Sequence, residues 1–105
     1  MSEIYVIVHP QDIEEWARRD HTPLPRQMIE AALERIEEVK KSNPDKVIIV
    51  NESVNTGFTF LPQLVGAGNN VTLLGARAGY CLRVAREVLE NAGIRVKLDR
   101  KGSLP

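Results

Sequence analysis

The chain predicts an α/β fold in three layers: a mostly parallel four-stranded sheet with helices on both faces. Three observations carry this. Short apolar runs rich in β-branched residues recur along the 105 residues. Stretches with apolar side chains at the 3.6-residue period separate them. The resulting order, β-(α)-α-β-α-β-α-β, is met by parallel strands joined through right-handed crossovers.

Ile4-Tyr5-Val6-Ile7-Val8 is the first strand, stopped by His9-Pro10. Asp12-Ile13-Glu14-Glu15 has the spacing of a capping box and predicts a short helix through Arg19. A longer helix is expected from Pro25 to Lys41. Ile29, Ala32, Leu33, Ile36 and Val39 form its apolar face, with Glu30, Glu34, Glu37 and Lys40 opposite. Thr22, Pro23 and Pro25 suit its start, and Lys40-Lys41 complement its C-terminal dipole. Lys46 to Val50 is the second strand, launched from the Asn43-Pro44-Asp45 turn. Phe58 to Val65 is a weaker helix, because Pro62 must lie in its first turn. Val71 to Leu74 is the third strand and ends at Gly75. Tyr80 to Ala92 carries the stripe Leu82, Ala85, Val88, Leu89 and Ala92, closed by Gly93 at a C′ position. Ile94 to Leu98 is the fourth strand; its alternation with Arg95 and Lys97 suits an edge. The first three strands read as buried, since covered parallel strands are apolar on both faces. Residues 1–100 then make one domain, and Lys101 to Pro105 a frayed tail.

The 14 Lys+Arg balance 14 Asp+Glu, and the pI is near 6.7. This removes the usual electrostatic case for nucleic acid or an anionic membrane as partner. Apolar residues at 43% and charged residues at 27% fit a globular chain, not a disordered one. A membrane span needs about 20 apolar residues. The longest run here, Ile4 to Val8, has five. Met1-Ser2-Glu3 lacks the basic and apolar regions of a signal peptide, and a single cysteine suits a reducing compartment. A cytoplasmic location is expected.

In open parallel sheets the ligand site lies beyond the carboxyl ends of the strands. Those ends carry His9, Asn51-Glu52 and the segment from Gly75 to Cys81. Cys81 begins a helix, where unpaired N–H groups and a positive partial charge favour thiolate and can hold an oxyanion. The alternative is a small buried hydrophobe. His9 is placed to take a thiol proton and return it, or simply ends its strand. Asn51 and Glu52 either bind substrate or are ordinary loop groups. Arg77 pairs with a substrate carboxylate or covers the sheet edge. Trp16 and Tyr80 line a pocket or fill the core. Gly75, Ala76, Ala78 and Gly79 make a small-residue loop suited to an oxyanion. It also suits an anion or nucleotide cradle, though no G-x-G-x-x-G or Walker motif is present. His9, His21 and Cys81 lack zinc-ligand spacing, and no metal or cofactor is expected.

Val71-Thr72-Leu73-Leu74-Gly75-Ala76-Arg77-Ala78-Gly79-Tyr80-Cys81 resembles the nucleophile segment of the isochorismatase-like cysteine hydrolases. In that family an apolar strand ends in Gly, and the nucleophilic Cys follows six residues later, as Cys81 follows Gly75. One helix then leads to a Gly twelve residues beyond the Cys, matched by Gly93, and to a strand, matched by Ile94 to Leu98. Gly57-Phe58-Thr59-Phe60-Leu61 is similar to the start of another family helix. Val6 to Asp12 is similar to the first strand and the Asp-x-Gln-Asn-Asp after it. The resemblance implies a Rossmann-like domain that hydrolyses small amides, esters or related acyl compounds through a thiolate. It implies an Asp, Lys and Cys triad; His9 stands at the aspartate's position, and Asn51 and Glu52 stand where the lysine is expected. It implies a cis peptide preceding position 78, where the family has Thr and this chain has Ala78. The metal-binding Asp-x-His-x-x-His of nicotinamidases is absent, and family members usually approach twice this length.

Two functions are compatible with these residues. One is a minimal cysteine hydrolase, with Cys81 as nucleophile and His9 as proton shuttle. The other is a non-catalytic domain of the same fold used for interaction or assembly. Family members commonly self-associate, so a homo-oligomer, at least a dimer, is expected, formed partly by Phe58 to Val65.

Overall fold

The computed structural model describes residues 3–19, 21–22, 24–77 and 79–105; Met1, Ser2, Asp20, Pro23 and Ala78 lie outside the described residues. Its strands are β1 (Glu3–Val8), β2 (Val47–Val50), β3 (Asn70–Ala76) and β4 (Arg95–Leu104). They form one all-parallel sheet in the order β2-β1-β3-β4. The helices are α1 (Pro10–Arg18), α2 (Arg26–Ser42), α3 (Leu61–Val65) and α4 (Cys81–Asn91), with a 3₁₀ turn at Val54–Thr56.

Alternation along the strands sorts the core into two clusters, because successive side chains point to opposite faces. Val6 and Val8 of β1 join Val71 and Leu73 of β3, Phe58, Leu61 and Val65 around α3, and Leu82, Ala85 and Leu89 of α4. Ile7, between Val6 and Val8, joins Leu74 and Ala76 of β3, Ile13 of α1, and Ile29, Ala32, Ile36 and Val39 of α2. The amino end of the sheet is polar: Thr72 Oγ1 donates to Glu3 Oε1, and Lys97 Nζ lies 3.6 Å from the same oxygen.

Four expectations need correction. The second strand is an edge rather than a buried strand, and Ile49 is 45% exposed. On the face to which Ile49 points, α1 and α2 pack mainly over β3 and β4; Val47 still reaches their cluster, but Ile49 is left uncovered. The first helix starts at Pro10, not after an Asp12 cap. His9 is its N-cap, in the left-handed region at φ 52, ψ 50, with no side-chain cap hydrogen bond. Pro10 explains the early start, since its fixed φ suits a first turn and its missing N–H needs no partner. The third helix is shorter than Phe58–Val65. Gly57 and Phe58 both have positive φ, which delays helix formation to Leu61, with Pro62 in the first turn.

The fourth correction concerns residues 101–105. Lys101 to Leu104 belong to β4 rather than to a tail, and Leu104 is buried. Leu98 pairs with Leu73, but the next pairs are Ser103 with Gly75 and Leu104 with Ala76, so Asp99 to Gly102 bulge out of the ladder. Asp99 holds the bulge: its Oδ1 accepts the Gly102 N–H at 2.9 Å, and its Oδ2 accepts Arg35 Nε at 2.9 Å from α2. No helix among the described residues is long and apolar enough to cross a membrane.

Candidate functional site

The chain leaves β1 toward β2 on one side and continues from β3 to β4 on the other, so the connections diverge between β1 and β3. A crevice at the carboxyl ends of such a strand pair is the usual ligand position in parallel α/β sheets. The two strands approach closely there. Gly75 is paired with Val8 at φ 116, and a Cβ on it would stand 2.0 Å from the Val8 carbonyl oxygen. The Ala76–Arg77 peptide that follows is cis.

The turn into α4 is closed by the Arg77 carbonyl, which accepts the Tyr80 N–H at 3.0 Å and the Leu82 N–H at 3.1 Å. Cys81, the first residue of α4, is half-buried against the cluster that contains Phe58 and Leu61. Burial pushes its thiol pKa up, and the negative charge of Asp12 pushes it further. The N–H groups of Arg77 and of Cys81 itself pull it back only part of the way. The helix start therefore acts on the sulfur in the expected direction but is outweighed, and the thiol rests above its ordinary pKa.

Asp12 is the functional candidate that the sequence did not single out. Read as a helix cap, it pointed away from chemistry. With α1 beginning at Pro10, it becomes the third residue of the helix, its N–H bonded to the His9 carbonyl at 3.1 Å. The signal available was Pro10 itself, because a proline directly after a strand marks an N1 position.

His9 ends β1, with its N–H donated to the Val50 carbonyl at 2.8 Å. Its ring lies against Phe58, with centroids 6.2 Å apart and a 50° tilt. His9 and Cys81 thus border one apolar cluster. The Arg77 guanidinium is engaged elsewhere. Nε donates to the Pro105 carbonyl at 3.1 Å, and the group lies 6.0 Å over the Trp16 ring. Trp16 itself packs on the α1–α2 cluster.

The remaining candidates are less convergent. Asn51 and Glu52 are exposed, and the Asn51 N–H donates to Glu52 Oε2 at 3.1 Å, so this carboxylate folds onto its own strand end. Gly75 and Ala76 are not a free loop: both are buried in β3 and paired with Ser103 and Leu104. Gly79 is exposed, and Ala78 lies outside the described residues. Tyr80, 69% exposed, lines a surface groove of about 250 Å³ with Val54, Gly79, Arg83, Val84 and Glu87. Cys81 is not part of that lining. Among the described residues, no three His, Cys, Asp or Glu side chains converge as a metal-binding group. No family model, no curated protein and no solved structure matches the chain.

Proposed function

We propose that this chain is a small thiol-dependent hydrolase, acting on amides, esters or related acyl compounds through Cys81, with Asp12 as proton acceptor. One observation carries the reading. At the sheet's divergence point, Cys81 opens α4 half-buried on the apolar cluster that His9 also borders, and the negative charge of Asp12 helps raise its thiol pKa. A thiol held protonated at rest needs a base during attack rather than a standing negative charge. As the sulfur bonds to the substrate carbonyl carbon, its proton passes to the Asp12 carboxylate. The carbonyl oxygen takes the electron pair, and the N–H groups of Arg77 and Cys81 stabilise it. Collapse breaks the bond to the amine or alcohol, which leaves with the proton from Asp12. Water then attacks the thioester and gives its proton to Asp12; the acid departs and the thiol is restored. The isochorismatase-like resemblance around Gly75, Cys81 and Gly93 supports the same chemistry, with Asp12 supplying the acid that His9 replaces. A cytoplasmic setting and self-association belong to this reading.

A second reading, an assembly domain of the same fold, is favoured by the groove that does not include Cys81. The Asp12→Asn variant separates the readings because its two effects oppose each other. Removing the charge lowers the thiol pKa, so iodoacetamide labels Cys81 severalfold faster at pH 8. Removing the base lowers hydrolysis of p-nitrophenyl acetate or a short amide about 10²- to 10³-fold. Wild-type hydrolysis no faster than that of Cys81→Ala would leave the assembly reading. Loss of hydrolysis in His9→Asn, with Asp12→Asn unimpaired, would transfer the proton to His9.

A further inference from the structure

The two edges of the sheet are treated differently by the sequence. β4 carries Arg95 and Lys97 on its exposed positions and a four-residue bulge from Asp99 to Gly102. Cationic side chains and bulges are standard protections of an edge. Val47–Val50 of β2 has neither: it is four residues long and wholly apolar, with Ile49 exposed. Phe58, Leu61 and Val65 are buried, which leaves Leu64 as the largely exposed apolar side chain of α3. The expected association surface there is thus mostly used within the fold.

We infer that β2 pairs antiparallel with β2 of a second copy about a two-fold axis at Ile49, joining two sheets into one of eight strands. The inference deepens the self-association reading and does not depend on the chemistry of Cys81. The pairing register follows from two independent features. First, the Lys46 and Val50 carbonyls face β1, accepting from Tyr5 and His9 at 2.8 Å each. The parallel ladder therefore directs the N–H and C=O groups of Val47, Ile49 and Asn51 outward. A two-fold at Ile49 sets Ile49 against its own copy and Val47 against Asn51, all outward-facing residues. Second, the same axis sets Lys46 directly opposite Glu52, both exposed. That pair is non-hydrogen-bonded, the type in which side chains approach most closely. Moving the axis by one residue in either direction sets Lys46 opposite Val50 or Val54 and loses the charge match. In forming the pair, Glu52 exchanges the Asn51 N–H for Lys46 of the other copy, and that N–H passes to a Val47 carbonyl.

Sedimentation and amide exchange test this directly. The wild-type chain is expected to sediment at twice 11.8 kDa at high concentration. The Val47 and Ile49 amides should exchange slowly in that dimer. Lys46→Glu should raise the dissociation constant about tenfold or more by placing like charges opposite each other twice. Lys46→Glu with Glu52→Lys should return it to within about threefold of wild type. A monomer at about 100 μM would overturn both self-association and this surface. A dimer insensitive to Lys46→Glu, with freely exchanging Val47 and Ile49 amides, would overturn this surface alone.

Discussion

Gly75 is fixed by backbone, not by side-chain packing. Its φ of 116 lies where side chains are rarely tolerated, and the obstacle to a Cβ is the Val8 main chain, with the carbonyl oxygen 2.0 Å away. Gly75→Ala is expected to lose about 3 kcal/mol or more of stability, or to fail to fold, because no side-chain movement relieves the contact. Gly79→Ala is the matched control: a Cβ there meets nothing within 4 Å. Its stability should stay within about 0.5 kcal/mol of wild type in urea titration. Equal losses for the two would show that the Val8 main chain does not set the cost at Gly75. Cys81 and Gly75 were legible because their spacing is local in sequence. The influence of Asp12 on Cys81 was not, since it joins residues of α1 and α4 across the sheet and depends on where α1 begins.

Elements ended by backbone chemistry were easier to read than elements interrupted by it. At the end of α4, the Gly93 N–H donates to Glu90 at 2.9 Å and the Ile94 N–H to Leu89 at 3.0 Å, with Gly93 at φ 83. This is the Schellman arrangement that a glycine after an apolar stripe announces. β4 hid its second half because Asp99-Arg100-Lys101-Gly102 is polar and glycine-ended, as tails and turns are. What returns the chain to the sheet is a long-range pair, Asp99 with Arg35, which no local pattern reveals. Asp99 lies mostly buried, and the pair raises the Arg35 pKa through the hydrogen bond to Asp99, then that to Glu38. Asp99→Ala should cost about 1–3 kcal/mol in urea unfolding, through loss of a bond to a charged group and of the Gly102 N–H acceptor. Arg35→Ala should cost less, and the double variant less than the two together. Strict additivity would show that the bulge is held without the pair.

At the scale of the molecule, the α/β class followed from continuous apolar strands alternating with amphipathic helices. Those patterns did not say which strand lies at which edge. Val47-Ile48-Ile49-Val50 is as apolar as a central strand, and only the placement of α1 and α2 over β3 and β4 leaves Ile49 uncovered. The strand order also decides how the fold bears a mechanical load. β1 and β4 run parallel on either side of β3, with Glu3 at the amino end of one and Leu104 at the carboxyl end of the other. Tension between those two residues pulls the strands lengthwise past β3, so both ladders resist at once in shear. Tension between Glu3 and Asn70, which are partners at the same end of neighbouring strands, opens one ladder bond by bond. Force spectroscopy with handles at the first pair should therefore give a single rupture at clearly higher force than handles at the second. Forced unfolding follows the barrier along the pulling direction, so one fold is strong along one axis and weak along another.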